Sequence, residues 1–144
     1  MEQVGRIMAL DVGEVTLGIA VSDALGITAQ PVTTLKRKGL KKDFQAIAEL
    51  ARQHEVTSFV VGLPLRLTGA TGSAAESATA FAQKLQSSLR LPVQTWDERL
   101  STVQAERMLL EGDVSRRKRR EVINQIAAAI ILQSYLDSRR APEA

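Results

Sequence analysis

MALDVGEVTLGIAVSD, residues 8–23, decides how the chain reads. An apolar run ends on a carboxylate, Asp11; a glycine turn follows at Gly13, and a second apolar run finishes on Asp23. β-Branched residues and near-alternation make residues 6–12 and 17–22 two strands, with GEVT between them as a hairpin turn. A third strand at 31–35, past DALGITAQ, would complete a meander. A strand buried enough to be this apolar should not end in a charge unless something meets that charge.

Beyond the meander the period changes. Residues 41–53 read as a helix with Phe44, Ile47, Ala48 and Ala51 on one face. SFVVGLP (58–64) is continuously apolar, as strands inside a parallel sheet are. SAAE (73–76) is a capping box that opens a helix to about residue 90, its inner face built from Ala74, Ala78, Phe81, Leu85 and Leu89. LPVQTW (91–96) gives a fifth strand that ends at Asp97 and Glu98. STVQ (101–104) is a second capping box and starts a short helix ending near Gly112. A final helix spans 115–139, and its IAAAIILQ stretch (126–133), apolar on nearly every side, should lie buried on the sheet. The order is βββαβαβαα, an α/β fold: a mixed five-stranded sheet, a three-strand meander followed by two parallel strands, with helices on both faces. A length of 144 residues suits one domain, 1–140, with a short tail at 141–144.

Composition narrows the chemistry. There is no cysteine and a single histidine, His54, at a helix end where a cation is ordinary. Disulfides, thiolate zinc sites and histidine triads are thus excluded or disfavoured, and a reducing, cytoplasmic setting is expected. No apolar run approaches about 18 residues, so no membrane span is expected. Aromatics make up 3% of the chain, too few for a broad base-stacking platform. Of nineteen Lys and Arg, ten fall in two acid-free runs, KRKGLKK (36–42) and RRKRR (116–120), while the sixteen acids lie elsewhere. An acidic body with two cationic patches suggests a polyanionic partner.

Catalysis in such a chain would have to come from carboxylates. In open α/β sheets the functional crevice lies beyond the strand ends. If the first and fifth strands are parallel and close, Asp11 and the Asp97–Glu98 pair converge on one edge. Two carboxylates about 4 Å apart repel by roughly 4 kcal/mol at an effective dielectric of 20. A divalent cation removes that repulsion, and oxygen ligands without His or Cys favour Mg²⁺ or Mn²⁺. The plain alternatives are turn caps: Asp11 in DVGEV, and Asp23 in SDALG, where the turn reading is preferred.

The motifs ALDVGEVTLGIAVSD (9–23), VVGLPL (60–65), DERLST (97–102) and AAAIILQSYLD (127–137) resemble, in order and spacing, the YqgF/RuvX family. These are small RNase H-like proteins assigned to Holliday junction resolution and pre-16S rRNA processing. The resemblance spans residues 6–137 and implies an RNase H-like fold and a divalent-metal nuclease. Such an enzyme cuts structured RNA or branched DNA by metal-activated attack of water on a phosphodiester. It implies Asp11, Asp97 and Glu98 as acids, the strand's pleat deciding which of the last two faces the metal. The family's third acid, usually Asp just before the Ala-rich stretch, is Asn124 here, which supplies an oxygen donor but no charge. The basic residue usual after the first glycine is replaced by Val15 and Thr16, and the loop RLTGATG (66–72) lacks the usual Asn and Asp. Paired cuts at a junction would favour a homodimer.

Substrate contacts are expected from Arg66, Thr68 and Ser73, where a Gly/Thr-rich loop meets a helix N-terminus. Arg99 could hold a phosphate or pair with its acidic neighbours. Arg116, Arg117, Lys118, Arg119 and Arg120 crowd a helix start where the dipole disfavours cations, and so call for an anion. Lys36, Arg37 and Lys38, with Gly39 suggesting a mobile loop, form the other patch. Trp96 reads as core. A binding module without catalysis, its acid cluster weakened by Asn124, is the competing reading. A sugar-kinase-like phosphotransferase would need two such domains.

Overall fold

The computed structural model describes residues 5–63, 73–97 and 116–139. Eight elements are described: β1 (Arg6–Val12), β2 (Thr16–Ser22), β3 (Ala29–Lys36), α1 (Leu40–Gln53), β4 (Val56–Leu63), α2 (Ser73–Leu89), β5 (Val93–Asp97) and α3 (Arg116–Arg139). The five strands form one sheet in the order β3-β2-β1-β4-β5. β1–β2 and β2–β3 pair antiparallel, whereas β1–β4 and β4–β5 pair parallel. This is the meander-plus-parallel architecture expected from the sequence. The short helix expected at 101–112, and the tail, lie outside the described residues.

Strand alternation sorts the apolar residues into two layers. Met8, Leu10, Leu17, Ile19, Phe59 and Val61 point to one face and pack under α1 and α2 through Phe44, Ile47, Phe81 and Leu85. Ile7, Ala9, Ala20 and Val60 point to the other and are covered by Ala128, Ile131, Leu132 and Leu136 of α3. β1 and β4 are thus buried on both faces, which explains their unbroken apolar runs. The small residues of α3 let it lie close to the sheet, as IAAAIILQ suggested.

Polar side chains fix the register of α3, which a row of alanines alone would leave free to slide. Gln133 Oε1 accepts from the Ala29 N–H at 3.0 Å, and Gln133 Nε2 donates to the Ile27 carbonyl at 2.9 Å. Thr34 Oγ1 donates to Gln125 Oε1 at 3.2 Å, and Trp96 Nε1 donates to Ser134 Oγ at 3.1 Å. One helix is therefore tied to both edges of the sheet, β3 and β5.

β3 runs longer than the expected 31–35 because β2 offers partners from Ser22 to Thr16. Pro31, which cannot donate to a ladder, sits on this edge strand beside a register shift between Ile19 and Ala20. Asp23 behaves as the turn residue it was read to be: its Oδ1 accepts from the N–H groups of Ile27 at 2.7 Å and Thr28 at 3.3 Å. The Ile27 bond, foremost, holds its carboxyl below the usual carboxylate range. His54 is the C-cap of α1, its N–H donating to the Leu50 carbonyl at 3.0 Å.

Candidate functional site

Asp11 lies near the C-terminal end of β1 and, by alternation from Ile7 and Ala9, on the α3 face. Its cross-strand partner on β2 is Gly18. A Cβ at Gly18 would fall 2.0 Å from the carbonyl oxygen of Asn124 and 2.2 Å from its carbonyl carbon. The α3 backbone thus rests directly on β2 beside Asp11, and only glycine leaves room for it. Two residues along the same face of β2, Thr16 accepts a hydrogen bond at Oγ1 from Asn124 Nδ2. Residues 11 and 124, more than a hundred positions apart, become neighbours through Gly18.

The turn after Asp11 is firmly held. Gly13 N–H donates to the Thr16 carbonyl at 2.9 Å. Arg37 then braces the turn from below: its N–H donates to the Val15 carbonyl at 2.8 Å and its Nη1 to the Gly13 carbonyl at 2.9 Å. Arg37 Nε pairs with Asp43 Oδ2 at 3.0 Å, and the other Asp43 oxygen accepts from the Lys38 N–H at 2.9 Å. Asp43 is 3% exposed, a buried carboxylate neutralised by a part-buried guanidinium.

The connector between β3 and α1 is therefore pinned, which corrects the expectation of a mobile loop around Gly39. Gly39 itself is the N-cap of α1 with φ 109°, a conformation that favours glycine. Of the three cations proposed there, Lys36 and Lys38 are exposed and Arg37 is engaged in this brace. Sequence reasoning missed Asp43; the one available signal was an acid standing directly after an acid-free basic run.

β1 and β5 are parallel and separated only by β4, so their C-terminal ends share one edge of the sheet. Trp96 turns toward α3, where it bonds Ser134 and meets the Tyr135 ring edge-on at 5.4 Å between centroids. It is half-buried at the rim of the layer. Asp97 pairs with Leu63, which packs in the α1/α2 layer, so Asp97 shares that side and not the side of Asp11.

Glu98, Arg66, Thr68 and Arg99 lie outside the described residues. Ser73 opens α2, and Arg116, Arg117, Lys118, Arg119 and Arg120 form the first turns of α3, with Arg120 one turn before Asn124. Among the described residues no three His, Asp or Glu side chains gather to hold a metal; of the expected cluster Asp11, Asp97 and Asn124 are described, and Asp97 lies on the side of the sheet away from Asp11. Among them also, no helix is long and apolar enough to cross a membrane.

The sequence profile described as RuvX: Holliday junction resolvase matches residues 5–138. A Myxococcus xanthus protein named "Putative pre-16S rRNA nuclease" is 55% identical over 138 residues, covering 96% of this chain and 91% of its own. A protein of the same name from Symbiobacterium thermophilum is 52% identical over 136 residues, 94% of each chain. Among solved structures, Fowlpox virus resolvase with its Holliday junction DNA superposes with a TM-score of 0.59 at 12% identity, covering 94% of this chain and 99% of that one. T. thermophilus RuvC bound to a Holliday junction gives 0.57 at 13% identity, covering 95% and 96%. At these identities the likeness speaks for the fold, the RNase H-like one.

Proposed function

The chain belongs to the RuvX family of Holliday junction resolvases, and from that membership we propose that it is a divalent-metal-dependent nuclease acting on structured nucleic acid at a site centred on Asp11. The observation that carries this reading is the meeting of Asp11, Gly18 and Asn124 at the end of β1. A carboxylate there is within the neighbourhood of a second oxygen donor on another element, at the sheet edge where α/β folds bind ligands.

The donor set fits a hard cation. Asp11 offers carboxylate oxygens, and Asn124, with Nδ2 given to Thr16, has its Oδ1 left to serve as a neutral ligand. Glu98 is the third donor in this reading. Asp97 is not, because it follows Leu63 to the other side of the sheet. Mg²⁺ or Mn²⁺ suits such oxygens, and when bound supplies Lewis-acid activation of water and charge stabilisation at the phosphoryl group. The chain's own part is to hold Asp11 still through the braced Gly13 turn and to hold phosphates with Arg99 and the basic start of α3. Thr16 orients the Asn124 amide.

The substrates to test are precursor 16S rRNA and four-way DNA junctions, with Mg²⁺ and Mn²⁺ compared. Asp11→Asn should abolish cleavage while leaving the melting temperature within about 2 °C. A protein that cuts neither substrate with either ion would end this reading. Asn124 favours a second one, a binding module whose weakened acid set no longer cuts. That reading requires salt-sensitive nucleic-acid binding indifferent to EDTA and to Asp11→Asn, with no cleavage.

A further inference from the structure

A cavity of about 330 Å³ opens on the α1/α2 side of the sheet, walled by Val12, the last residue of β1. Asp11 and this cavity thus flank one strand end from opposite faces. The volume lies at the small end of the range for ligand sites. Part of its wall is apolar, from Val12, Ala80, Phe81 and Leu40, and Leu40 is 37% exposed although it is a large aliphatic side chain.

Arg37 supplies a second kind of wall. Its guanidinium is fixed in orientation by Asp43 and the Gly13 carbonyl, and lies 5.4 Å from the centroid of the Phe81 ring. Because Asp43 neutralises it, Arg37 offers a flat, preorganised surface more than a net charge. Lys84 and Ser77 of α2, both exposed, add a cation and a hydroxyl. Lys38 and Lys41, also exposed, flank the mouth in sequence around Gly39 and Leu40.

A cavity with apolar walls, a guanidinium face and a lysine and a serine in its lining matches one ligand chemistry better than others: a heterocyclic base carrying a phosphodiester. Unstacked bases are bound against aromatic rings and arginine planes, with cations tracking the backbone. We propose that the cavity takes one unstacked nucleotide of a single-stranded segment next to the cleavage point, its base between Leu40 and the Arg37–Phe81 wall and its phosphate at Lys84 and Ser77. The inference rests on the nucleic-acid reading above and adds to it a preference for single-stranded flanks.

The test uses the full chain carrying Asp11→Asn, in EDTA, so that nothing is cut. Binding of a single-stranded oligonucleotide containing 2-aminopurine is compared with binding of a blunt duplex, across a salt titration. Ser77→Trp should fill the slot from an exposed helix position, weakening single-strand binding roughly tenfold and duplex binding less than twofold. Lys84→Ala should reduce the log–log salt slope by about 0.7. The 2-aminopurine emission should rise on binding and lose that rise with Ser77→Trp.

Unchanged single-strand binding in both variants, or equal losses for single strand and duplex, would overturn the proposal. So would displacement of the oligonucleotide by a glutamate-rich peptide of equal charge. Should Ser77→Trp fail to fold, the Lys84→Ala slope decides alone. Cleavage is assayed separately on the unaltered chain. Its absence with these binding differences intact removes the nuclease and keeps the base site, and the converse result does the reverse.

Discussion

Gly18→Ala is the sharpest probe of how the site is assembled. The added methyl would stand 2.0 Å from the Asn124 carbonyl oxygen and 2.2 Å from its carbonyl carbon, where real contacts do not fall below 3.0 Å. These are backbone atoms, so no side-chain rotation relieves the clash, and α3 has to withdraw by about 1 Å at this point. Overpacking of a core typically costs about 1–3 kcal/mol. The upper end applies here, because withdrawal also loosens Ala128 and Ile131 from Ala9 and Ala20. For a chain of this size that corresponds to a fall in melting temperature of roughly 10 °C. A 1 Å displacement of Asn124 from Asp11 should also reduce cleavage by about a hundredfold, beyond the fraction unfolded. Thermal and urea melts by circular dichroism give the first number, and single-turnover cleavage well below the midpoint gives the second. A variant that melts within 1 °C of the parent and cuts at the parent's rate would refute the seating of α3 on β2, and with it the proximity of residues 11 and 124.

Other outcomes test separate parts of the account. Asn124→Asp should tighten Mg²⁺ or Mn²⁺ roughly tenfold or more by calorimetry, since it adds a charge to the oxygen set; no change would place residue 124 outside the site. If about five cations of RRKRR each neutralise a duplex phosphate, the log–log salt slope is near −4.5, a loss of roughly 500-fold between 50 and 200 mM salt. A flat titration would remove that patch as the main contact. The Asp23 carboxyl is held below the usual carboxylate range, chiefly by the Ile27 N–H. The unfolded state therefore binds its proton more readily, so the stabilisation is full above about pH 5 and is lost as pH falls through the folded value. The difference in urea midpoint between the parent and Asp23→Asn should then shrink below about pH 4; a difference constant down to pH 2 would contradict this.

The order and kinds of elements were legible because they rest on local periodicity. The hairpin around Gly13, the buried run of β4 and the all-round apolar stretch of α3 each follow from residue spacing. Asp11 stood out because charge at the end of an apolar strand is costly. What sequence left open depended on tertiary packing. Gly18 looked like one more small residue in an alternating strand, and only the approach of α3 gives it a role. The side of the sheet on which Asp97 lies could not be read from sequence either, since the pleat of β5 is fixed by its pairing with Leu63 and by Trp96 meeting Ser134. Arg37 reads in the sequence as a substrate contact beside Lys36 and Lys38, since the acid that pairs with it, Asp43, has no helical or strand spacing to it.

The bond between Thr16 and Asn124 spans 108 positions of chain. During synthesis, at about 5–20 residues per second, the opening strands would wait roughly 5–20 s for the helix that covers them. Until then Ile7, Ala9 and Ala20 lack the cover of α3, and Asn124 is not yet beside Gly18. A nascent chain stalled before Arg116 is accordingly expected to bind a hydrophobic dye and to leave nearby RNA intact. In a nuclease, such timing would keep a half-made copy from cutting the transcript that encodes it.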